Sequence, residues 1–198
     1  MAKISWNGGA LLAPVPPTMV TCGDMEHPNV FTVAWTGILN TKPPRTYIAV
    51  RPTRYSYDLI KNSGEFAINL TTADLVKAAD TCGVVSGRTV NKFERCNLTP
   101  APATKICAPI LAESPLSLEC KVRDVMEMET HHLFLADIVA VTVNEELVDR
   151  DGKLHLDKAG LLAYAHGEYF ALGKKLGKFG YSVQKKKGHP KKKTHKKG

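Results

Sequence analysis

Residues 29–50, NVFTVAWTGILNTKPPRTYIAV, contain two apolar runs, 31–34 and 47–50, that predict β-strands. Pro43 and Pro44 stand between the runs. Proline lacks a backbone N–H donor and is rare inside a sheet, so the pair predicts a break between two strands. Between them, Trp35 stands beside the small polar residues of 36–41. Taken locally, those residues predict a turn or a bulge, which gives no reason for a large aromatic side chain at this point.

Working outward, further apolar runs predict strands at residues 66–70, 116–122 and 133–143. In 116–122 apolar and polar residues alternate, which predicts a half-buried strand. Two short helices are predicted, from near Ser56 to just before Gly64 and from just after Thr72 to near Gly83. Many strands with few helices predict a mainly β barrel or sandwich with helical additions.

The chain has 198 residues, which is enough for one domain with a sizeable core. No apolar run approaches the length of a membrane span, so no membrane partner is expected. The first six residues lack a basic region followed by an apolar stretch, so no secretory signal is expected. The default expectation is a cytoplasmic protein.

The net charge of +8 comes from the C-terminal end. Residues 185–198 contain eight lysines and no acid, and their composition is typical of disorder. Residues 1–184 carry 19 basic and 19 acidic residues and are formally neutral. We therefore expect one folded domain, 1–184, and a Lys-rich tail, 185–198. Nucleic acid or an anionic surface could bind only through that tail, which lacks aromatic residues for base stacking.

The five cysteines show neither a C-x-x-C pair nor zinc-finger spacing with histidine. An odd number of cysteines in a chain of this length favours reduced, mostly buried thiols. No metal site is predicted.

The segment RPTRYSYDLI, residues 51–60, places Arg51 and Arg54 just before a predicted helix whose N-cap candidates are Ser56 and its neighbours. A helix N-terminus offers free N–H groups and a positive potential, so two arginines and a hydroxyl there predict a phosphate site. An ordinary capped helix with solvated arginines is the alternative.

The segment GVVSGRTVNKF, residues 83–93, is a small basic loop that contains Ser86, Arg88 and Lys92. It matches neither the P-loop nor the dinucleotide-binding glycine pattern. An ordinary surface loop is the simplest interpretation from this stretch alone.

The segment ETHHLFLADI, residues 129–138, opens an apolar strand with His131 and His132. Adjacent strand residues face opposite sides, so the two are not expected to bind one metal together. No hydrolase nucleophile motif is present. A mainly β domain with a phosphate site and no nucleophile favours a bound organic cofactor.

Several segments, in the same order, closely resemble flavoredoxin and its relatives in the flavin reductase-like family: residues 31–72, CGVVSGRTVNKF, ESPLSLECKV, HHLFLADIVAV and AYAHGEYFALGKKLGKFGYSV. The resemblance runs from about residue 5 to residue 184. It implies an FMN-binding split β-barrel of Greek-key type with a few short helices. It also implies a homodimer with FMN near the subunit interface.

The resemblance also implies which residues bind FMN. They are Asn29, Trp35, Thr36, Arg51, Arg54, Ser56, Ser86, Arg88, Lys92, His131 and Tyr164. Of these, Lys92 and His131 are expected to stabilise negative charge on the reduced flavin. No residue is expected to act as a catalytic acid, base or nucleophile.

The function that follows from the resemblance is an FMN-dependent oxidoreductase of the flavin reductase type. NAD(P)H, as a transient donor, or a redox protein would supply electrons that pass through FMN to an acceptor. The alternative is a non-catalytic FMN electron carrier that is reduced by another protein.

Overall fold

The computed structural model describes residues 1–184, so the predicted tail 185–198 lies outside the described residues. Eleven strands and three α-helices follow in chain order: β1 Thr18–Cys22, β2 Asn29–Val33, β3 Thr36–Thr41, β4 Pro44–Val50, α1 Tyr55–Ser63, β5 Glu65–Asn69, α2 Val76–Val84, α3 Lys92–Cys96, β6 Pro100–Ala101, β7 Ile110–Leu111, β8 Leu116–Met126, β9 His132–Val143, β10 Leu162–Ala165 and β11 Glu168–Ala171. Single turns of 3-10 helix lie at Ala73–Leu75, Glu145–Leu147, Leu156–Lys158 and Tyr181–Val183.

Seven strands form one antiparallel sheet in the order β2-β1-β5-β8-β9-β4-β3. The sheet curls around a core that includes Phe66, Phe134 and Ile48, and Ile60 of α1 packs into the same core. The predicted mainly β split-barrel class with a few short helices is confirmed. Register follows burial, since Ile48 of β4 lies opposite Phe134 of β9 and neither side chain is exposed.

Residues 36–41 form a strand rather than a local turn. This strand, β3, pairs with β4 at the sheet edge, and its register shifts between Ile38 and Asn40. Of the two local predictions for residues 36–41, a turn or a bulge, the bulge is therefore the correct one. Gly37 permits a close contact, because a Cβ added there would lie 3.3 Å from the Tyr47 ring.

The prediction that 116–122 is half-buried was wrong for two polar residues. Ser117 and Glu119 of β8 are both buried. The Glu119 carboxylate accepts hydrogen bonds from the backbone N–H groups of Thr104 and Lys105, while Ser117 donates to Asn69 Oδ1. A loop folds over this face and supplies partners that strand periodicity does not reveal.

Helix α1 begins at Tyr55, and its N-cap is Arg54 rather than Ser56. Ser56 lies buried in the first turn of the helix. It ends at Gly64, whose φ of 69° suits a glycine C-cap. The second predicted helix is a 3-10 turn followed by α2. Helix α3 was not predicted.

Helices α2 and α3 pack on β1 and β2 through a second apolar cluster that contains Met19, Val30, Cys82 and Phe93. This cluster holds the two helices beside the start of α1. The residues between and around these helix ends build the candidate site described below.

All five cysteines are free thiols: Cys22, Cys82 and Cys120 are buried, Cys96 is half-buried and Cys107 is exposed. Within residues 1–184, none of the helices has the length and apolar character that crossing a bilayer requires.

Candidate functional site

Three adjoining cavities form one continuous cleft. The basic cavity, about 380 Å³, lies between the start of α1 and the segment joining α2 to α3. It shares Arg51 and Arg54 with a middle cavity of about 470 Å³. The middle cavity in turn shares Trp35, His131 and Tyr164 with an apolar cavity of about 710 Å³.

Positive charge dominates the basic cavity. Lys92, Arg51 and Arg54 line it, and none of its lining residues within the described chain is acidic. Lys92 is only 5% exposed, and its Nζ donates to the Cys82 carbonyl oxygen at 2.9 Å. Within residues 1–184 it forms no salt bridge with a carboxylate. A buried ammonium with one neutral partner and donors to spare is suited to an anionic ligand.

Burial lowers the pKa of Lys92, and the nearby Arg54 guanidinium also lowers it, whereas the Cys82 thiol acts in the opposite direction. The position of this side chain is set locally, since Lys92 is the first residue of α3. Asn91 caps that helix by accepting from the N–H groups of Phe93 and Glu94.

Below the basic cavity, Asn29 ties β2 to α1. Its Nδ2 donates to Ser56 Oγ at 2.8 Å and to Cys22 Sγ at 3.5 Å. Gly87 packs directly against Asn29 and Tyr55, because a Cβ added at Gly87 would overlap Asn29 Oδ1 and lie 2.8 Å from a Tyr55 ring carbon. The absence of a side chain at Gly87 therefore lets the loop close onto the cavity floor.

The same loop carries two further predicted residues. Ser86 lines the basic cavity, and its Oγ accepts from the Arg88 backbone N–H at 3.3 Å. The Arg88 guanidinium lies 5.6 Å from the centre of the Tyr55 ring. Arg88 thus makes a cation–π contact at the rim instead of lining the cavity.

Aromatic rings frame the other end of the cleft. Trp35 is 46% exposed and nearly parallel to the His131 ring, with centroids 6.5 Å apart. Tyr164 meets Tyr169 edge-to-face at 5.4 Å between centroids. Thr36 lines the apolar cavity, and its Oγ1 donates to the Tyr47 carbonyl oxygen at 2.6 Å.

His131 connects the two ends of the cleft. Its Nε2 accepts from Arg51 Nε at 3.5 Å, and its Nδ1 lies 2.9 Å from Thr130 Oγ1. Burial, followed by Arg51 and Arg54, lowers the pKa of His131, so the ring is neutral at pH 7. These contacts assign the ring hydrogen to Nδ1, with Thr130 Oγ1 as its acceptor.

His132 faces the other side of the sheet, as strand alternation predicts. Its Nδ1 lies 2.8 Å from the hydroxyl of the buried Tyr57, and its ring meets the Tyr57 ring edge-to-face. Tyr57 in turn meets Phe134 of the main core. It lines none of the three cavities.

Most of the predicted site residues line the cleft; the exceptions are Asn29, which lies beneath Ser56, and Arg88, which lies at the rim. Lys92 and His131, which are both expected to stabilise negative charge on a reduced flavin, line different cavities. Lys92 lines only the basic cavity, whereas His131 lines the other two. The geometry therefore does not bring them together around one part of a ligand.

Sequence reasoning missed Tyr47 and Tyr55, which line the apolar and the basic cavity respectively. Tyr55 stands between the predicted site residues Arg54 and Ser56, whereas Tyr47 stands between Thr46 and Ile48. An aromatic residue beside a predicted polar site residue is too common a signal to single out Tyr55, and Tyr47 carries no such signal.

The family described as "Flavin reductase like domain" matches residues 11–173. The chain belongs to the flavin reductase-like family. Its split barrel is the fold of that family, and membership supports a flavin-dependent redox role for the cleft.

Three solved structures show the extent of the likeness. Flavoredoxin of Desulfovibrio vulgaris (Miyazaki F) is 31% identical, with a TM-score of 0.85 over 92% of this chain and 100% of that chain. Flavoredoxin from Methanosarcina acetivorans is 27% identical, with a TM-score of 0.83 over 93% and 100%. An FMN-binding protein from Thermus thermophilus with bound 1-cyclohex-2-enone is 25% identical, with a TM-score of 0.71 over 86% and 93%.

Proposed function

We propose that this member of the flavin reductase-like family is an FMN-dependent oxidoreductase that takes electrons from NAD(P)H or a redox protein. Bound FMN would supply the redox chemistry, since its ring system accepts and releases electrons. The observation that carries the proposal is the cleft. It joins a cavity lined by the buried Lys92, which forms no salt bridge within residues 1–184, to a cavity framed by aromatic rings. The FMN-binding relative from Thermus thermophilus supports the choice of flavin.

In this proposal the basic cavity holds the phosphate of FMN. Lys92 and Arg54 would provide charge, and the Ser56 hydroxyl, fixed by Asn29, would provide a hydrogen bond. A dianionic ligand would compensate the burial of Lys92, which otherwise disfavours its charged form. The residues present therefore fit the group.

The ring would lie toward Trp35, His131 and Tyr164, which line both the middle and the apolar cavity. His131 accepts from Arg51 and is neutral at pH 7. Its role in the proposal is to orient the Arg51 guanidinium, and that permanent charge replaces Lys92 as the group nearest to negative charge on a reduced ring.

A non-catalytic electron carrier is the second candidate, and the likeness to two flavoredoxins supports it. Mixing the FMN-loaded protein anaerobically with NADH or NADPH in a stopped-flow spectrometer separates the two. Rapid bleaching of the flavin by either nucleotide would favour the reductase. Slow bleaching, with rapid reduction by a redox protein, would favour the carrier.

A homodimer in the cytoplasm is the proposed setting. Exposed apolar side chains at the open end of the cleft, among them Leu11, Leu12 and Met128, offer surface for a second subunit. The five free thiols fit a reducing compartment. Analytical ultracentrifugation of the purified protein tests the dimer.

The simplest test of the whole proposal is the visible spectrum of the purified chain, before and after incubation with FMN. We expect flavin bands that remain with the protein after gel filtration. A colourless protein that does not retain added FMN would contradict the proposal.

A further inference from the structure

The cofactor loop, residues 83–95, lies between two cysteines. Cys82 is in the last turns of α2, and Cys96 is the final residue of α3. Ser86, Gly87 and Lys92, which build one wall of the basic cavity, all belong to this loop. Any bond between the two cysteines would therefore close the loop at its base.

Cys82 and Cys96 lie in the same apolar cluster. Cys96 packs against the apolar cluster that contains Cys82, together with Phe93 and Leu98. Burial raises the pKa of Cys82 to about 12, and the neighbouring Cys96 thiol contributes to that increase. Cys96 is half-buried, whereas Cys82 is 1% exposed, so an oxidant from solvent reaches Cys96 first.

We propose that Cys82 and Cys96 are a site of reversible oxidation, where a peroxide converts the two thiols to a disulfide that fixes the ends of the cofactor loop. This goes beyond flavin binding, because the disulfide needs only the two thiols and the oxidant. The exposed thiol, Cys107, follows β6 and lies outside the loop.

The chemistry has two steps. The Cys96 sulfur attacks one oxygen of hydrogen peroxide, the O–O bond breaks, and the products are a Cys96 sulfenic acid and water. The Cys82 sulfur then attacks the sulfenic sulfur, and the S–O bond breaks as its oxygen leaves with the thiol proton as a second water. The two thiols lose two electrons and two protons in total, and the peroxide is reduced to two waters.

The disulfide would restrict the wall of the basic cavity. Lys92 Nζ donates to the Cys82 carbonyl oxygen, so the position of Lys92 is tied to that of Cys82. A link from Cys82 to Cys96 removes the freedom of the loop to swing open as one segment. If FMN occupies the cleft, as the proposed function holds, its release from the oxidised protein should be several-fold slower.

Peptide mapping tests the site directly. The FMN-loaded or apo full chain is treated with hydrogen peroxide, alkylated and digested with trypsin. Cleavage after Lys77 and Arg88, and after Arg95 and Lys105, leaves Cys82 and Cys96 each as the only cysteine of its peptide, 78–88 and 96–105. We expect these two peptides to be disulfide-linked, and separated by dithiothreitol.

Two variants are matched controls. Cys107→Ser, at an exposed position, should leave the linked peptides unchanged, and Cys96→Ser should abolish them. If Cys82 of the peroxide-treated wild-type chain is still free to react with the alkylating reagent, the proposal is overturned. A disulfide from either cysteine to a different partner would overturn it as well. Because mapping is done on the wild-type chain, this result does not depend on the folding of a variant.

Flavin release separates this inference from the proposed function. We expect slower release of FMN after peroxide in the wild-type chain and no peroxide effect in Cys96→Ser. If Cys82 and Cys96 are linked but the rate of FMN release is unchanged, the proposed restriction of the basic cavity is wrong, and the proposed disulfide stands. A linked pair in a protein that binds no flavin would overturn the proposed function alone.

Discussion

At the basic end of the cleft Lys92 and Ser56 are buried and hydrogen-bonded, whereas at the apolar end Trp35 is partly open to solvent. Lys92 is 5% exposed and Ser56 is 3% exposed, but Trp35 is 46% exposed. The basic end therefore carries the cost of removing charge and hydrogen-bonding groups from water. The apolar end carries little of that cost.

This difference separates two roles. The basic end should contribute most to cofactor affinity, and its hydrogen bonds should also contribute to the stability of the apoprotein. The apolar end should contribute to contacts with the ring and little to stability. Each prediction below tests one side of this comparison, beginning with the largest effect.

Lys92→Met should weaken FMN binding by about 10- to 100-fold, because a charge-assisted hydrogen bond contributes roughly 1.5–3 kcal/mol. Riboflavin, which has no phosphate, should bind the variant and the wild type about equally. Fluorescence titration with both flavins checks this, and Lys77→Met, at an exposed lysine of α2, is the control. Equal losses for FMN and riboflavin would place the ring, not the phosphate, beside Lys92.

Ser56→Ala should lower the free energy of unfolding of the apoprotein by about 1–2 kcal/mol, since it leaves the buried Asn29 amide without its 2.8 Å acceptor. Urea unfolding without flavin measures this. Ser182→Ala, at an exposed serine, should have no comparable effect. An unchanged stability in Ser56→Ala would show that the basic end is not held together by this hydrogen bond.

Trp35→Ala should weaken FMN and riboflavin binding by the same factor, about fivefold, because aromatic contacts contribute roughly 0.5–1.5 kcal/mol. The effect is independent of the phosphate, in contrast to that of Lys92→Met. Trp6→Ala, at an 80% exposed tryptophan, is the matched control. A loss confined to FMN would contradict the assignment of Trp35 to the ring.

His131→Gln should change the pH dependence of apoprotein stability, which is the smallest effect. Burial, Arg51 and Arg54 lower the pKa of His131 from its ordinary 6.5, so below that value the unfolded chain binds more protons than the folded chain. Wild-type stability should consequently fall relative to the variant as the pH is lowered from about 7 through 6.5.

Urea unfolding across that pH range measures the His131 effect, with His27→Gln at an exposed histidine as control. Parallel stability curves for the wild type and His131→Gln would show that the neutral state of His131 is not enforced by its surroundings.

The strands that were predicted correctly are those that carry an apolar run of their own. Residues 31–33, 47–50, 66–69 and 133–143 all carry apolar runs, and of these only 31–33 lie in an edge strand, β2. Strand β3 was missed because it lies at the edge, where Ile38, Leu39 and Asn40 are exposed and no alternation is required. Local sequence could reveal its bulge but not its partner, β4.

Burial of polar residues was harder to predict than strands. Glu119 is buried because a loop more than ten residues earlier in the chain bonds to its carboxylate. Lys92 is buried because α2 packs beside the start of α3. In both cases the partner comes from a segment that no local pattern connects to the residue, so the resemblance alone identified Lys92 as a site residue.

The measurement that tests the account most directly is the ratio of the dissociation constants of riboflavin and FMN for the wild-type chain, by calorimetric titration. If the basic cavity holds the phosphate, FMN should bind at least about 100-fold more tightly than riboflavin, since Lys92 and Arg54 both contribute charge-assisted contacts. Most of that difference should disappear in Lys92→Met. Equal binding of the two flavins, or binding of neither, would contradict the central claim.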